Sequence, residues 1–302
     1  METFSLGIAW NWVYDSDFVA GIEHACVELG LTTYRVEPAN VSETLQRLRS
    51  GEIAFRTFLD RASDDDETFK PIVRLLAKSS THFYNQEEHV DRAKDKATMH
   101  LEFITNGLYV PFTIIISPYN KKKELELSLS ELARLGRPFI IKPANTTGGG
   151  TGVVLGAESL KDVIETRQHH KNDKYLLQET VKPKFLEGSK AWFRILYAFG
   201  EIIPCWWDDA THVYRRVTPD DQEQYNLAEL REAMKKIHEV CGLDFFSSEI
   251  ALTEGNSFVV VDYVNEVCDM RLQSKYADGV PDDVVRMIQE LIAKETKRHC
   301  SS

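Results

Sequence analysis

The stretch from Phe139 to Leu155 constrains this chain most. An apolar run, Phe139-Ile140-Ile141, ends in Lys142-Pro143, passes through Ala144-Asn145-Thr146-Thr147-Gly148-Gly149-Gly150-Thr151-Gly152, and resumes as Val153-Val154-Leu155. Short apolar runs bounded by glycine read as strands, so the pattern predicts strand, loop, strand. The glycines let backbone N–H groups approach an anion without Cβ interference, the threonine hydroxyls add donors, and Lys142 places a charge where strand meets loop. That chemistry suits a phosphate cover; a Gly-rich hairpin loop with one exposed lysine is the alternative. A P-loop is excluded, because Lys142 precedes the glycines and the following segment reads as a strand, not a helix.

Any anion site here has to be local, because the net charge of −11 argues against a general nucleic-acid or anionic-membrane surface. At 302 residues, 43% hydrophobic, the chain can bury a sizeable core divided into two or three lobes. Cys26, Cys205, Cys241, Cys268 and Cys300 are odd in number and lack CxxC spacing, which points away from disulfides and zinc and towards a reducing compartment. The opening from Met1 to Trp10 has no basic segment before a long apolar core, and no later run approaches about 18 apolar residues. A cytoplasmic protein is expected.

Leu6 to Trp10, Thr32 to Val36 and Ile53 to Leu59 read as strands alternating with helices over Asp17 to Leu29, stopped by Gly30, and Ser42 to Arg49, with Ser42 as N-cap. This is a βαβαβ unit. The run Asp64-Asp65-Asp66-Glu67 is assigned to solvated charge. One charged helix is predicted from Asp91 through Ile104, stopping at Asn106-Gly107. A strand over Val110 to Ile116, helices over Leu125 to Leu135 and Glu158 to His170, and a strand over Lys174 to Val181 surround the Gly-rich segment. Lys190 to Phe199 and Ile202 to Trp207 form a hairpin about Gly200-Glu201, which places Trp192, Arg194, Leu196 and Ala198 on one face. Helices over Ala228 to Cys241 and Asp282 to Lys294 complete the pattern.

A second hairpin joins Ser247 to Leu252 with Ser257 to Asn265. If its turn is centred on Gly255-Asn256, Glu249 faces Asp262. Like charges directly opposed on a sheet are destabilising unless a cation lies between them. Mg²⁺ held by Glu249, Asp262 and the amide oxygen of Asn265, together with substrate phosphates, resolves the conflict. Protonation of one carboxylate, or pairing with Arg194 or Arg271, is the alternative.

Taken in order, these residues resemble the ATP-grasp carboxylate–amine/thiol ligases over roughly Asp91 to Glu290. Asp95-Lys96 with Val110-Pro111-Phe112-Thr113 resembles the family's first phosphate-binding lysine and Pro-x-Thr strand. Ile141-Lys142-Pro143 with Thr147, Gly148, Gly149, Gly150 and Thr151 resembles the second lysine and the mobile phosphate lid. Gln178-Glu179-Thr180-Val181 resembles the interlobe hinge that meets adenine and ribose, with Glu187 as a further ribose contact. Arg194 resembles the phosphate arginine, and Glu249, Asp262 and Asn265 the metal ligands.

The resemblance implies an α/β fold: a Rossmann-like pre-ATP-grasp domain over 1–88, then a two-lobed ATP-grasp fold, with the small, lid-bearing lobe over 89–180 and the metal-bearing C-terminal lobe over 181–302. ATP would lie between the lobes, with Mg²⁺, or Mn²⁺ in its place, as the metal. The implied reaction activates a small-molecule or peptide carboxylate as an acyl phosphate and joins it to an amine, with Lys142, Arg194 and Arg271 as catalytic residues. No nucleic-acid or membrane partner is implied, and a homodimer is compatible with it. Two departures stand out. Asp262-Tyr263-Val264-Asn265 is one residue longer than the family's Glu-x-Asn, so Asn265 requires a bulge, and Trp192 stands where many relatives carry an acidic residue. A small-molecule kinase and a non-catalytic nucleotide-binding module remain alternatives on the same nucleotide site.

Overall fold

A computed structural model describes residues 1–146 and 152–301. Its first part alternates β1 (Glu2–Trp10), α1 (Ser16–Glu28), β2 (Thr33–Val36), α2 (Val41–Arg49), β3 (Ile53–Arg61), α3 (Lys70–Leu76) and β4 (His82–Tyr84). The strands lie in the order β2-β1-β3-β4 with every pair parallel. Parallel neighbours need a crossover, and the intervening helices supply it. Ser42 is not the cap of α2. Asn40 holds that position, turned back so that its Oδ1 accepts from Glu37 N at 2.8 Å and its Nδ2 donates to Arg35 O at 3.0 Å.

The single helix expected from Asp91 is two, α4 (Glu87–Lys94) and α5 (Lys96–Thr105). Asp95 leaves helical geometry and caps α5, its carboxylate accepting from Ala97 N at 3.0 Å and Thr98 N at 3.2 Å. An aspartate that can satisfy two orphan amides competes with helix continuation, and Lys96 thereby becomes the first residue of a new helix. Then come β5 (Thr113–Ile116), α6 (Leu129–Leu135), β6 (Phe139–Pro143), β7 (Val154–Ala157), α7 (Leu160–Thr166) and β8 (Tyr175–Glu179). The strands form an antiparallel sheet, β5-β8-β6-β7, and α6 and α7 cover one face through Leu135 and Val163. Both helices start later than their apolar pattern suggests, because capping boxes at Ser128/Glu131 and Ser159/Asp162 fix their first turns.

A short ribbon, β9 (Phe185–Leu186) with β10 (Ser189–Lys190), leads into β11 (Trp192–Ala198), β12 (Glu201–Trp207), β13 (Tyr214–Arg216), α8 (Pro219–Gln224), α9 (Ala228–Cys241), β14 (Phe245–Leu252), β15 (Phe258–Asn265) and α10 (Asp282–Ser301). The third sheet, β13-β12-β11-β14-β15, is antiparallel throughout. Ala198 pairs with Glu201, so the two-residue turn is Phe199-Gly200, one residue earlier than the sequence pattern placed it. Both turn residues have positive φ, +50° and +96°, as the twist of a two-residue hairpin demands. On one face of this sheet Phe193, Ile195 and Tyr197 pack with Met99, Phe103, Leu230 and Ile237. On the other, Leu196 and Ala198 join Leu6, Ile8, Phe18, Val284 and Ile288 in a core shared between the first and last parts of the chain. Arg194 alternates onto that second face.

A buried ion pair reinforces this junction. Arg61, at the end of β3, donates from Nε and Nη2 to the two oxygens of Asp15 at 2.8 Å each, and from Nη2 to the carbonyl of Cys268 just beyond β15 at 2.8 Å. Among the described residues no helix is long and apolar enough to cross a membrane. Removing one partner of the pair leaves an uncompensated buried charge, so Asp15→Ala should lower unfolding stability by about 3–5 kcal/mol. Urea denaturation followed by circular dichroism checks this; a loss below about 1 kcal/mol would place the pair among inconsequential contacts.

Candidate active site

The β14–β15 hairpin turns through three residues, where its sequence suggested a turn centred on Gly255-Asn256. Leu252, Ala251 and Ile250 pair with Phe258, Val259 and Val260, and the loop is Glu254-Gly255-Asn256, with Thr253 N donating to Ser257 O at 3.0 Å. An extra residue, Val261, then shifts the register by one, and this shift sets Glu249 opposite Asp262. The expected pair exists, through a bulge and not through a turn centred on Gly255-Asn256. A second shift brings Asn265 opposite Ser247. Ser247 and Glu249 share a face by the period of two, so Asp262 and Asn265 share it as well despite their three-residue spacing.

On the other side of β14, Arg194 pairs with Glu249, giving a row Arg194, Glu249, Asp262 across three strands. Arg194 Nη2 lies 3.1 Å from Glu249 Oε1, and Trp192 Nε1 donates to Glu249 Oε2 at 3.2 Å. Arg194 also donates to the Tyr214 hydroxyl at 3.4 Å and sits 5.0 Å from the Trp207 ring centroid, while its Nε has no partner among the described residues. Facing this row, buried Lys142 donates from Nζ to the Val261 carbonyl at 3.2 Å and lies 5.3 Å from the Tyr263 ring centroid. Lys96 Nζ is 3.6 Å from Asp262 Oδ1.

Two carboxylates and three cations therefore converge from α5, β6, β11, β14 and β15. Burial pushes the Glu249 carboxyl up; Arg194 opposes this and the neighbouring Asp262 adds to it. Burial acts on Asp262 in the same direction, but Lys96, Lys142 and Arg194 outweigh it and hold that carboxyl below its ordinary value. Burial is also the main influence on Lys142, and with Lys96 beside it the ammonium is brought down to about 8 despite Asp262 and Glu249.

Beneath Lys142 a hydrogen-bond chain links the elements. Gln178 Nε2 donates to Thr113 Oγ1 at 3.2 Å and to the Tyr263 hydroxyl at 3.1 Å, and that hydroxyl lies 2.6 Å from His100 Nδ1. Burial, with Lys142 nearby, brings His100 down to about 4, so its ring is neutral near pH 7. Gln178 is 0% exposed and its Oε1 has no partner among the described residues. Glu179 Oε1 accepts from Phe112 N at 2.7 Å, and the Thr180 hydroxyl donates to Pro138 O at 2.7 Å, with Val181 continuing the segment.

Other residues singled out from the sequence lie apart. Glu187 occupies the exposed β9–β10 turn and accepts from Gln224 Nε2 at 2.7 Å. Arg271 is held by Asp269 at 2.7 Å and Asp278 at 2.8 Å, with its guanidinium near the rings of Trp12 and Tyr276, and it makes no hydrogen bond or ion pair with the Glu249–Asp262 row among the described residues. Thr147, Gly148, Gly149, Gly150 and Thr151 lie outside the described residues. Just before them, Asn145 and Thr146 are fastened to Asp173, with Asn145 Nδ2 donating at 2.8 Å and the Thr146 hydroxyl at 3.0 Å. Asp173, Tyr214, Tyr263 and His100 were assigned no role from the sequence, since each is brought to the site by a long-range contact, and Trp192 was marked only as a departure at its position.

Among the described residues no group of three or more His, Cys, Asp or Glu side chains could hold a metal ion. The donors at hand, two opposed carboxylates with an amide on the same face, instead suit Mg²⁺, which binds one or two carboxylates and completes its shell with phosphate oxygens and water.

No protein-family model and no curated protein matches the sequence. Solved structures do. A RimK-domain ATP-grasp protein from Sphaerobacter thermophilus aligns over 96% of this chain and 98% of its own at 18% identity, with a TM-score of 0.64. A D-alanine–D-alanine ligase from Bacillus anthracis, complexed with ATP, aligns over 100% and 99% at 12% identity and 0.64. The macrocyclase MdnC from Microcystis aeruginosa, bound with the precursor peptide MdnA, aligns over 97% and 99% at 12% identity and 0.63. The chain has the ATP-grasp fold.

The resemblance in sequence implies that Lys142 meets phosphate; since its lowered value leaves it protonated below about pH 8 and neutral above it, nucleotide affinity should then fall as pH rises through that value. Calorimetry of ATP binding between about pH 7 and about pH 9.5 should show a break that Lys142→Met lacks. A flat profile in the parent contradicts this assignment. The unfolded chain binds the proton up to lysine's ordinary value of about 10.4, so the same group should make the fold more stable as pH rises from about 8 towards that value.

Proposed function

We propose that this chain is an ATP- and Mg²⁺-dependent ligase that activates a substrate carboxylate as an acyl phosphate and joins it to an amine, releasing ADP and phosphate. The observation that carries this reading is the convergence of Lys96, Lys142 and Arg194 on the opposed pair Glu249 and Asp262. Three cations around two carboxylates form a site that gains by taking up a metal together with a polyanion. The fold supports it, since an ATP-complexed D-alanine–D-alanine ligase and a precursor-bound macrocyclase share that fold. We place ATP between the lobes assigned to 89–180 and 181–302, with residues 1–88 as the preceding domain and a small molecule or a peptide as substrate.

Magnesium bound by Glu249 and Asp262, with Asn265 alongside, would neutralise phosphate charge during transfer. Lys96 and Lys142, which face the carboxylate row, would supply positive charge to the phosphates beside it. Arg194, with a buried Nε still unpartnered, has donor capacity for the oxygen that gains charge as the phosphoryl group moves. Adenine is assigned to the hinge Gln178-Glu179-Thr180-Val181, with Glu187 towards the ribose. Residues 147–151 are assigned to the cover that keeps water from the acyl phosphate. Lys142 and Arg194 form the catalytic set; Arg271, already shared between two aspartates, is given the support of the loop after β15.

Product analysis tests the reaction: ADP and phosphate should appear only when an acid and an amine are both supplied, whereas a stable phosphorylated product would make the protein a kinase. A double variant tests the site. Glu249→Gln with Asp262→Asn should lower Mg²⁺-dependent turnover by at least about 100-fold. In EDTA the same variant should bind ATP at least as tightly as the parent, because two anions next to the phosphates have been removed. Unchanged metal-dependent turnover in the double variant rejects the assignment.

A further inference from the structure

The indole of Trp192 contacts the carboxylate row without carrying charge. On β11 Trp192 pairs with Ala251, two residues along β14 from Glu249 and on the same face. Such a diagonal neighbour is about 7–8 Å away, within reach of a long aromatic side chain. The methyl of Ala251 leaves the indole room to lean across, and Nε1 reaches Glu249 Oε2 at 3.2 Å. Arg194 meanwhile takes the other oxygen at 3.1 Å. Oε2 thus has one donor and one lone pair left over, while Oε1 faces the guanidinium in an ion pair.

We infer that Trp192 is a positioning residue for the metal: its N–H fixes the rotation of the Glu249 carboxylate so that the remaining lone pairs face Asp262. This rests on the proposed reading of Glu249 as a metal ligand. The chemistry favours an indole over a second cation here. It is a donor only, so it cannot compete as a ligand, and being neutral it adds no repulsion to an incoming divalent ion. Outer-shell donors of this kind orient ligating carboxylates, and their loss typically costs about 10–100-fold in metal affinity.

The test measures free Mn²⁺ by electron paramagnetic resonance during titration of the whole chain in the presence of a non-hydrolysable ATP analogue. Trp192→Phe, which keeps an aromatic ring and removes the donor, should weaken Mn²⁺ binding about 10–100-fold. Binding of the analogue in EDTA should stay within about two-fold of the parent. In a Glu249→Gln background Trp192→Phe should cause no further loss, because the group it orients has gone. Ala251→Val, which crowds the indole while leaving Trp192 in place, should reproduce the defect by a second route if Trp192→Phe folds poorly. Parental Mn²⁺ affinity in Trp192→Phe overturns the inference, as does an undiminished effect in the Glu249→Gln background, which would make the ring a wall. If Glu249→Gln itself leaves Mn²⁺ affinity unchanged, the metal reading fails and takes this inference with it.

Discussion

The opposition of Glu249 and Asp262 across neighbouring strands is the constraint to which the rest of the site answers. Two carboxylates facing each other on a largely buried sheet would each raise the other's proton affinity and destabilise the hairpin. Here they stay usable because Arg194 arrives from β11, Lys96 from the first turn of α5 and Lys142 from the last turn-ward end of β6. Asp262, with its side chain 33% exposed against 11% for Glu249, is the more open of the two, and it is the carboxyl that the lysines hold below its ordinary value. The asymmetry leaves one carboxylate anchored by Arg194 and Trp192 and the other more open.

Each cation depends on structure elsewhere. Lys96 is in place only because Asp95 ends α4 and caps α5, and Asp95 is held in turn by Lys174 at 2.6 Å. Lys142 is buried, which is costly for an ammonium, and it depends on the Val261 carbonyl beside the β15 bulge. The bulge therefore acts twice: it aligns Asp262 with Glu249, and it presents an acceptor to Lys142. The Tyr263, His100 and Gln178 chain below ties the same strand to α5 and to β8, so these elements meet through hydrogen bonds as well as through charge.

Much of this was legible in the sequence where the signal is local. Alternating strand and helix patterns gave the parallel sheet, and the apolar runs around Lys142 gave β6 and β7 because burial on a sheet needs only short periodic stretches. Caps are less legible: the pattern puts a cap at Ser42 and runs a helix across Asp95, whereas several polar residues compete for a helix start and side-chain geometry decides among them. The Glu249–Asp262 pairing was recovered although the turn was misjudged, since the one-residue error at the loop and the extra residue at Val261 cancel. Contacts such as Trp192 with Glu249 or Asp173 with Thr146 carry no pattern, because they arise only when segments distant in sequence come together. Arg271 shows the converse: a cation near a motif in sequence can be committed to aspartates in space.

The most direct test is where a metal settles when nucleotide is present. Crystals grown with Mn²⁺ and a non-hydrolysable ATP analogue, measured at a wavelength where manganese scatters anomalously, would locate it without reference to turnover. The account predicts an anomalous peak within about 2.0–2.3 Å of oxygens from both Glu249 and Asp262, with phosphate oxygens completing the shell and Lys142 turned towards them. Nucleotide bound with no peak between these two carboxylates, or with the peak at another acidic cluster, would contradict it.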